Sequence, residues 1–144
     1  MPLSFASHIA VQQVVPLLAV NSMDRSLRFY VDGLGFVMKN KWMDDGQLRW
    51  CWLEHGHAAL MLQEVVPDGK HQRDPAGPVG VGVSLNFICR DALAFYREVT
   101  GRGLTTKRPF VGNRMWVTSL KDPDGYDLHF ESPTDAPEET EYEG

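Results

Sequence analysis

The residues with the clearest potential for chemistry lie in one alternating run, residues 126–131, near the end of the chain. Alternate side chains of a strand point to opposite faces, so Asp127, His129 and Glu131 share one face and three apolar side chains share the other. An imidazole between two carboxylates can hydrogen-bond a ligand, transfer a proton or help to bind a divalent metal ion. The preceding Asp-Pro-Asp-Gly, residues 122–125, predicts a tight turn between two strands.

The other histidines show weaker patterns. His55 and His57 flank a glycine, which indicates the tip of a hairpin rather than two metal ligands on one face. His8 and His71 lie in segments without a clear period, where solvated side chains are expected. No serine or cysteine nucleophile stands at a recognisable spacing from a base. His129 is therefore the leading candidate among the histidines.

Four tryptophans in predicted strands form the second group with a potential role in binding. Trp50 and Trp52 are two residues apart, so both point to the same face of one strand. Tryptophans between a sheet and a helix fill the core, whereas tryptophans on a concave side would stack on a flat, partly polar ligand. The candidate ligand-binding residues are Trp50, Trp52, Met61, Trp116, His129 and Glu131.

Two similar halves are expected to position these residues. Residues 26–30 (SLRFY) match residues 92–96 (ALAFY), each in a predicted helix that follows a predicted strand, residues 11–20 or residues 80–89. Three further strands follow each helix. We therefore expect an α+β protein of two βαβββ modules, whose eight strands form a curved mixed sheet, a saddle or incomplete barrel. The helices would cover its convex side, and the cavity on the concave side is the candidate site.

Proline, glycine and charge divide the chain. A segment rich in proline and glycine predicts a linker, and the last residues carry five of the 19 acidic side chains and no basic one. The predicted organisation is a loose N-terminal arm (1–10), a first module (11–66), a linker loop (67–79), a second module (80–132) and an acidic disordered tail (133–144).

The charge balance limits the classes of partner. The net charge of -5 comes from the tail, since the rest of the chain has 14 acids against 14 bases. Without a basic run, nucleic acid is not an expected partner. No apolar run approaches the ~20 residues of a membrane span, so we expect no membrane contact and a cytoplasmic location. Cys51 and Cys89 show no ligand spacing and predict reduced thiols.

Two segments resemble a known family. Residues 17–36 (LLAVNSMDRSLRFYVDGLGF) and residues 122–131 (DPDGYDLHFE) are similar to the glyoxalase / bleomycin resistance / extradiol dioxygenase group, the vicinal oxygen chelate superfamily. Enzymes of that family bind a divalent metal through a His or Glu on the first and last strand of each half. The matching positions here are Val15, Met61, Val81 or Val83, and His129. Because the other positions are apolar, the resemblance implies a chain without a metal cofactor.

The resemblance is closest to the metal-free bleomycin-resistance type, whose members dimerise and sequester a planar, cationic drug in grooves between subunits. It implies a homodimeric, antibiotic-resistance-like protein that binds a flat aromatic or natural-product ligand without catalysis. A chain body without net charge is a poor trap for a cation, which argues against bleomycin itself.

Two other functions stay open at this point. One is a metal-dependent lyase, isomerase or dioxygenase that uses His129, Glu131 and a further ligand such as His8. The other is a protein-interaction or regulatory domain that binds a partner in the saddle. Metal-ligating side chains that converge in space would distinguish the enzyme from a binding protein. A wide groove open at both ends would favour the protein-interaction domain.

Overall fold

The chain forms two halves with the same order of elements, in a computed structural model that describes residues 10–65 and 79–144. The first half contains β1 (Leu17–Val20), α1 (Met23–Leu27) with a π-helical continuation (Arg28–Gly33), β2 (Val37–Asp44), β3 (Gln47–His55) and β4 (Ala58–Glu64). The second half contains β5 (Ser84–Ile88), α2 (Ala92–Gly101), β6 (Phe110–Gly112), β7 (Met115–Lys121) and β8 (Asp127–Pro133).

Each half builds one mixed sheet of four strands. The strand orders are β1-β4-β3-β2 and β5-β8-β7-β6. The pairs β1–β4 and β5–β8 are parallel and the remaining pairs are antiparallel. The predicted α+β fold of two βαβββ modules is confirmed, with the eight strands divided between two sheets.

The helices begin where the sequence predicts. Ser22 is extended and its hydroxyl accepts the N–H of Arg25 at 3.3 Å. Asp91 is also extended, and its carboxylate accepts the N–H of Leu93 at 3.1 Å and of Ala94 at 3.0 Å. These side chains satisfy N–H groups that the first turn of a helix leaves without a partner.

The first strand of each half is shorter than predicted, for local reasons. Pro16 has no N–H to donate, and β1 begins directly after it. Gly82 has a φ of +83°, so the backbone turns just before β5. Gly80 packs against the turn before β8, where a Cβ would lie 2.4 Å from the carbonyl carbon of Gly125. Both strands therefore begin later than predicted, although each lies in its predicted segment.

One hydrophobic core joins the two sheets. The helix side of each sheet is buried in it, with Tyr30, Phe36 and Val99 from the connecting elements. Because both sheets turn their buried side towards this shared core, their opposite sides face away from it. The core residues of the sheets are Leu18, Val20, Cys51, Leu53, Leu60, Leu62, Leu120, Leu128 and Phe130.

A polar clamp fixes the turn before β8 to the first half. The hydroxyl of Tyr30 donates to Asp122 at 2.8 Å, and the side-chain amide of Asn21 donates to Asp124 at 2.7 Å. The other oxygen of Asp122 accepts the backbone N–H groups of Asp124 and Tyr126. The predicted Asp-Pro-Asp-Gly turn therefore both connects two strands and holds the modules together.

The C-terminal segment differs from the predicted disordered tail. Backbone groups of Val111 pair with Glu139 and Thr140 at 2.8 and 2.9 Å, which extends the second sheet beyond β6. The carboxylate of Glu138 accepts the N–H groups of Asn113 and Arg114, both at 2.8 Å. An open strand edge offers unpaired backbone groups, and here they bind a segment whose composition alone indicates solvated chain.

The predicted arm and linker lie almost entirely outside the described residues, as do His8 and His71. In the two described ranges, the helices are too short or too polar to cross a membrane.

Candidate functional site

The outward side of each sheet presents a different set of side chains. We call the outward side of the first sheet the tryptophan face and that of the second sheet the histidine face. By strand register, the tryptophan face includes Leu17, Ala19, Val37, Asn40, Trp42, Trp50, Trp52, Glu54, Ala59, Met61 and Gln63. The histidine face includes Ser84, Asn86, Ile88, Phe110, Val117, Ser119, Lys121, Asp127, His129 and Glu131.

Strand pairing brings the predicted aromatic residues together on the tryptophan face. Trp52 pairs with Met61 across β3 and β4, and Met61 pairs with Leu17 of β1. Trp50 pairs with Trp42 of β2 in the neighbouring row. Cross-strand neighbours lie within side-chain contact distance, so each row forms an apolar strip, which Asn40 borders beside Trp52 and Gln63 borders beside Trp50.

The tryptophans of this face are accessible. Trp50 and Trp52 are half-buried, and Trp42 is 43% exposed, whereas the alternating core residue Leu53 is fully buried. The indole N–H of Trp52 donates to the carboxylate of Glu54 at 2.8 Å. This hydrogen bond fixes the ring through its polar edge and leaves its π-face for stacking.

His129 lies at the centre of the histidine face. It pairs with Ser119 of β7 on one side and with Asn86 of β5 on the other. The hydroxyl of Ser119 is 2.7 Å from Nδ1 of His129. Since Nδ1 has this partner, Nε2 is the ring nitrogen that the described residues leave for a ligand.

The two carboxylates beside His129 differ in their surroundings. Asp127 accepts a hydrogen bond from Lys121 at 2.6 Å, and this contact holds its pKa below the usual range. Glu131 lies in the row of Val117 and Ile88. Asp127 is thus already neutralised, whereas Glu131 is an acceptor between apolar neighbours.

Trp116 is on the other side of the second sheet. It alternates with Val117 and shares the helix side with Thr118, whose hydroxyl donates to the carbonyl of Ala92 at 2.9 Å. Its ring is 6.0 Å from that of Tyr142 in the C-terminal segment. The structure therefore does not bring Trp116 together with His129.

The predicted site residues are divided between the two faces. Trp50, Trp52 and Met61 lie on one sheet, and His129 and Glu131 lie on the other. A cavity of about 370 Å³ touches both faces, through Ala59 and Asn86, but none of these five predicted residues lines it. In one copy of the chain the predicted residues therefore lie on two surfaces.

Strand pairing changes two of the positions that the family resemblance matches to metal ligands. Val81 and Val83 precede β5 and are 71% and 38% exposed, and the residue that pairs with His129 is Asn86. In the first half the partner of Met61 is Leu17, not Val15. Residues 10–65 and 79–144 contain no group of three or more His, Cys, Asp or Glu side chains suited to a metal ion.

Sequence reasoning missed Asn86 and Ser119. Each lies in an alternating strand and could have been placed on an outward face by its parity. Their position beside His129 depends on the register between strands, which the sequence pattern leaves undetermined.

Comparison with known proteins agrees with this architecture. Residues 7–130 match the model of the Glyoxalase/Bleomycin resistance protein/Dioxygenase superfamily. No curated protein sequence matches the chain.

Several solved structures share the fold at low sequence identity. TnmS3, an antibiotic binding protein from Streptomyces sp. CB03234, has a TM-score of 0.68 and 21% identity, covering 88% of this chain and 100% of its own. TioX from Micromonospora sp. ML1 has a TM-score of 0.67 and 17% identity over 85% of this chain and 99% of its own. A bleomycin-binding protein complexed with bleomycin has a TM-score of 0.64 and 21% identity over 85% and 98%. The family match spans both sheets and the clamp between them, and the chain belongs to the Glyoxalase/Bleomycin resistance protein/Dioxygenase superfamily.

Proposed function

We propose that this protein binds and sequesters a flat aromatic or natural-product ligand without a metal cofactor. The observation that carries the proposal is the tryptophan face. It presents Trp42, Trp50 and Trp52 on the side of the sheet away from the core, beside Leu17 and Met61. A flat ligand that stacks on this surface removes apolar area from water on both partners.

Two copies of the chain would complete the site. In a symmetric dimer, the tryptophan face of one copy can lie opposite the histidine face of its partner, which gives two identical sites. Each face has apolar side chains to cover: Leu17 and Trp42 are 42% and 43% exposed, and Ile88 and Phe110 are 66% and 40% exposed. Exposed apolar patches that are bordered by polar groups are typical of protein–protein interfaces.

The two faces have different roles in this dimer. Trp50, Trp52 and Met61 supply stacking surface and desolvation, which contribute most of the affinity. His129, through Nε2, and Glu131 supply hydrogen bonds that orient the ligand. The fold similarity to an antibiotic binding protein and to a bleomycin-binding protein supports sequestration as the purpose of such a site.

Metal-independent action is supported by the donor set. The side chains of Leu17 and Met61 offer no oxygen or nitrogen to a hard cation, and His129 with its neighbour Asn86 supplies fewer than the roughly three protein ligands that such a site needs. Elemental analysis of the purified, untagged chain tests this part. A stoichiometric divalent metal whose removal lowers the melting temperature would contradict it.

A mixing experiment tests the shared site. Bleomycin and a panel of flat polycyclic natural products are first screened by quenching of tryptophan fluorescence. The ligand with the strongest quenching is then titrated into Trp52→Ala, into His129→Ala, and into the two variants unfolded and refolded together. Each variant alone has two defective sites, but a mixed dimer has one site with both residues intact. A fraction of sites with the wild-type affinity should therefore appear only in the mixture.

Two results would contradict this proposal. If binding is weak in both variants and mixing restores none of it, while dimers still form, both residues act within one chain. If no flat compound quenches the emission of the wild-type protein, the sequestration function is wrong. Trp116→Phe is the matched control, because Trp116 lies on the helix side and its replacement should leave ligand affinity unchanged.

A further inference from the structure

A separate cleft lies between the two halves, at the tip of the β3–β4 hairpin and the junction of β5 with α2. Its volume is about 610 Å³, which is within the range of small-molecule sites. It is lined by residues 55–58 of the hairpin, residues 87–90 at the end of β5, and the rings of Phe36, Phe95 and Phe130. Neither Trp50, Trp52 nor His129 lines it.

Contacts among four phenylalanine rings hold the aromatic wall of the cleft in place. The rings of Phe87 and Phe130 stack at 4.6 Å and 9°, and those of Phe95 and Phe130 stack at 3.9 Å and 23°. Phe36 meets Phe87 edge-on at 6.1 Å. Phe36 and Phe130 are buried, whereas Phe87 and Phe95 are half-buried. Phe130 thus lies between Phe87 and Phe95, and the accessible part of Phe87, which Phe36 meets edge-on, offers a rigid apolar surface for a flat ring.

The polar groups of the cleft are all donors or potential cations. His55, His57 and Arg90 are exposed side chains of its lining, and no aspartate or glutamate lines it. The ring of His55 meets Phe36 at 5.3 Å, which fixes its position beside the aromatic wall. Within the described ranges, Arg90 makes no hydrogen bond or ion pair. The nearby Asp91 carboxylate accepts the N–H groups of Leu93 and Ala94 at the start of α2. A guanidinium that is beside apolar rings and not paired with a carboxylate is complementary to an anion.

We propose that this cleft binds a small flat aromatic carboxylate. Its ring packs on Phe87, and its carboxylate accepts hydrogen bonds from Arg90 and His55. The site is independent of the tryptophan face, because a chain that never dimerises still contains every residue of the cleft. A ligand here also contacts both halves, so it would stabilise their arrangement.

Calorimetric titration of the full-length protein with 2-naphthoate tests the proposal. 2-Naphthamide, which has the same rings without the charge, should bind more weakly by about tenfold or more, since it loses the charge-assisted hydrogen bonds. Arg90→Gln should weaken 2-naphthoate binding by a similar factor and leave the melting temperature of the free protein unchanged. Arg108→Gln is the matched control, because Arg108 is exposed and outside the cleft.

The location of the probe needs its own readout. The backbone amide of Gly56 lines the cleft, so its NMR signal should shift on addition of 2-naphthoate. Trp52→Ala should leave the affinity for this probe unchanged. Equal binding of the amide, wild-type affinity in Arg90→Gln, or loss of binding in Trp52→Ala would each overturn the proposal. The last result would move the probe to the tryptophan face.

Discussion

The tryptophan face and the histidine face occupy equivalent places in two copies of one βαβββ plan, yet their chemistry differs. In the first sheet, the row through the centre is Leu17, Met61 and Trp52; in the second it is Asn86, His129 and Ser119. The two sheets have the same arrangement of parallel and antiparallel strand pairs. The duplicated fold thus supplies two equal platforms, and the side chains make one apolar and the other polar.

This division suits a site shared between two copies. A flat ligand gains most of its binding energy from burying its rings, and it needs only a few directional contacts to fix its orientation. An apolar platform facing a polar one provides both. Substitutions on the two faces, and on the two sides of each sheet, should therefore differ in their effects as much as the contacts of the replaced residues differ.

The largest effect is expected from the contrast between the two sides of one strand. Leu53→Ala should lower the free energy of unfolding by about 2–5 kcal/mol, because Leu53 is fully buried in the shared core. Trp52→Ala, one residue away, should cost far less stability, because Trp52 is half-buried on the outward face. Urea denaturation of both variants measures the difference. Equal losses would mean that Trp52 belongs to the core.

A smaller effect is expected at the clamp that keeps the two faces turned outwards. Tyr30→Phe should cost about 1–3 kcal/mol of unfolding free energy, since buried Asp122 loses a hydrogen-bond donor. Tyr96→Phe is the matched control, because Tyr96 is only half-buried and its hydroxyl has no described hydrogen bond. A similar loss in both variants would show that the clamp adds nothing specific.

The clamp variant also has a pH dependence with a defined sign. Burial raises the pKa of Asp122, and the Tyr30 hydroxyl opposes this shift. Without that hydroxyl the folded-state pKa rises further above the unfolded value. In the variant, the contribution of protonated Asp122 to the free energy of unfolding is present at low pH and is lost as pH rises through the folded-state pKa. The Tyr30→Phe penalty, measured by denaturation across pH, should therefore be larger at neutral pH than in acid.

Within the histidine face, we expect His129 to contribute more to ligand binding than Asp127, whose carboxylate is paired with Lys121. His129→Ala should weaken ligand binding by about 0.5–1.5 kcal/mol, the usual net value of one hydrogen bond, without unfolding the protein. Asp127→Ala should change binding less, because Lys121 already occupies its carboxylate. Fluorescence titration of both variants provides the comparison. A large loss of stability in His129→Ala, with binding intact, would make His129 structural.

The smallest effect is expected at the outer edge of the second sheet, which the C-terminal segment covers. Hydrogen bonds from the N–H groups of Arg114 and Asn113 lower the pKa of Glu138. The stabilisation by the Glu138 carboxylate is therefore present above its unfolded-state pKa and is lost as pH falls through its folded-state pKa. Acidification should change the emission of Trp116, which lies against Tyr142. Glu138→Gln should reduce that pH dependence, and an unchanged acid transition in this variant would assign it elsewhere.

Much of the fold could be predicted because its signals are local. The helix starts at Ser22 and Asp91, the turn before β8 and the alternation of residues 126–131 depend on neighbours a few positions apart. The repeat of two modules is visible because both helices carry the same short motif. Burial confirms the alternation, since Leu128 is fully buried and its neighbours in sequence are not.

Residue parity along each strand establishes which residues share a face, whereas the packing of the two sheets establishes where each face points. Parity places Trp50 with Trp52, but whether a face lines the core or looks outwards depends on which sides of the two sheets meet. That choice follows from long-range contacts such as Phe36 with Phe87, and Tyr30 with Asp122. Trp116 shows the limit of prediction from sequence, because its strand was predicted correctly but its position on the helix side of the sheet was not. Local periodicity has no information about partners distant in the chain, and those partners position the site.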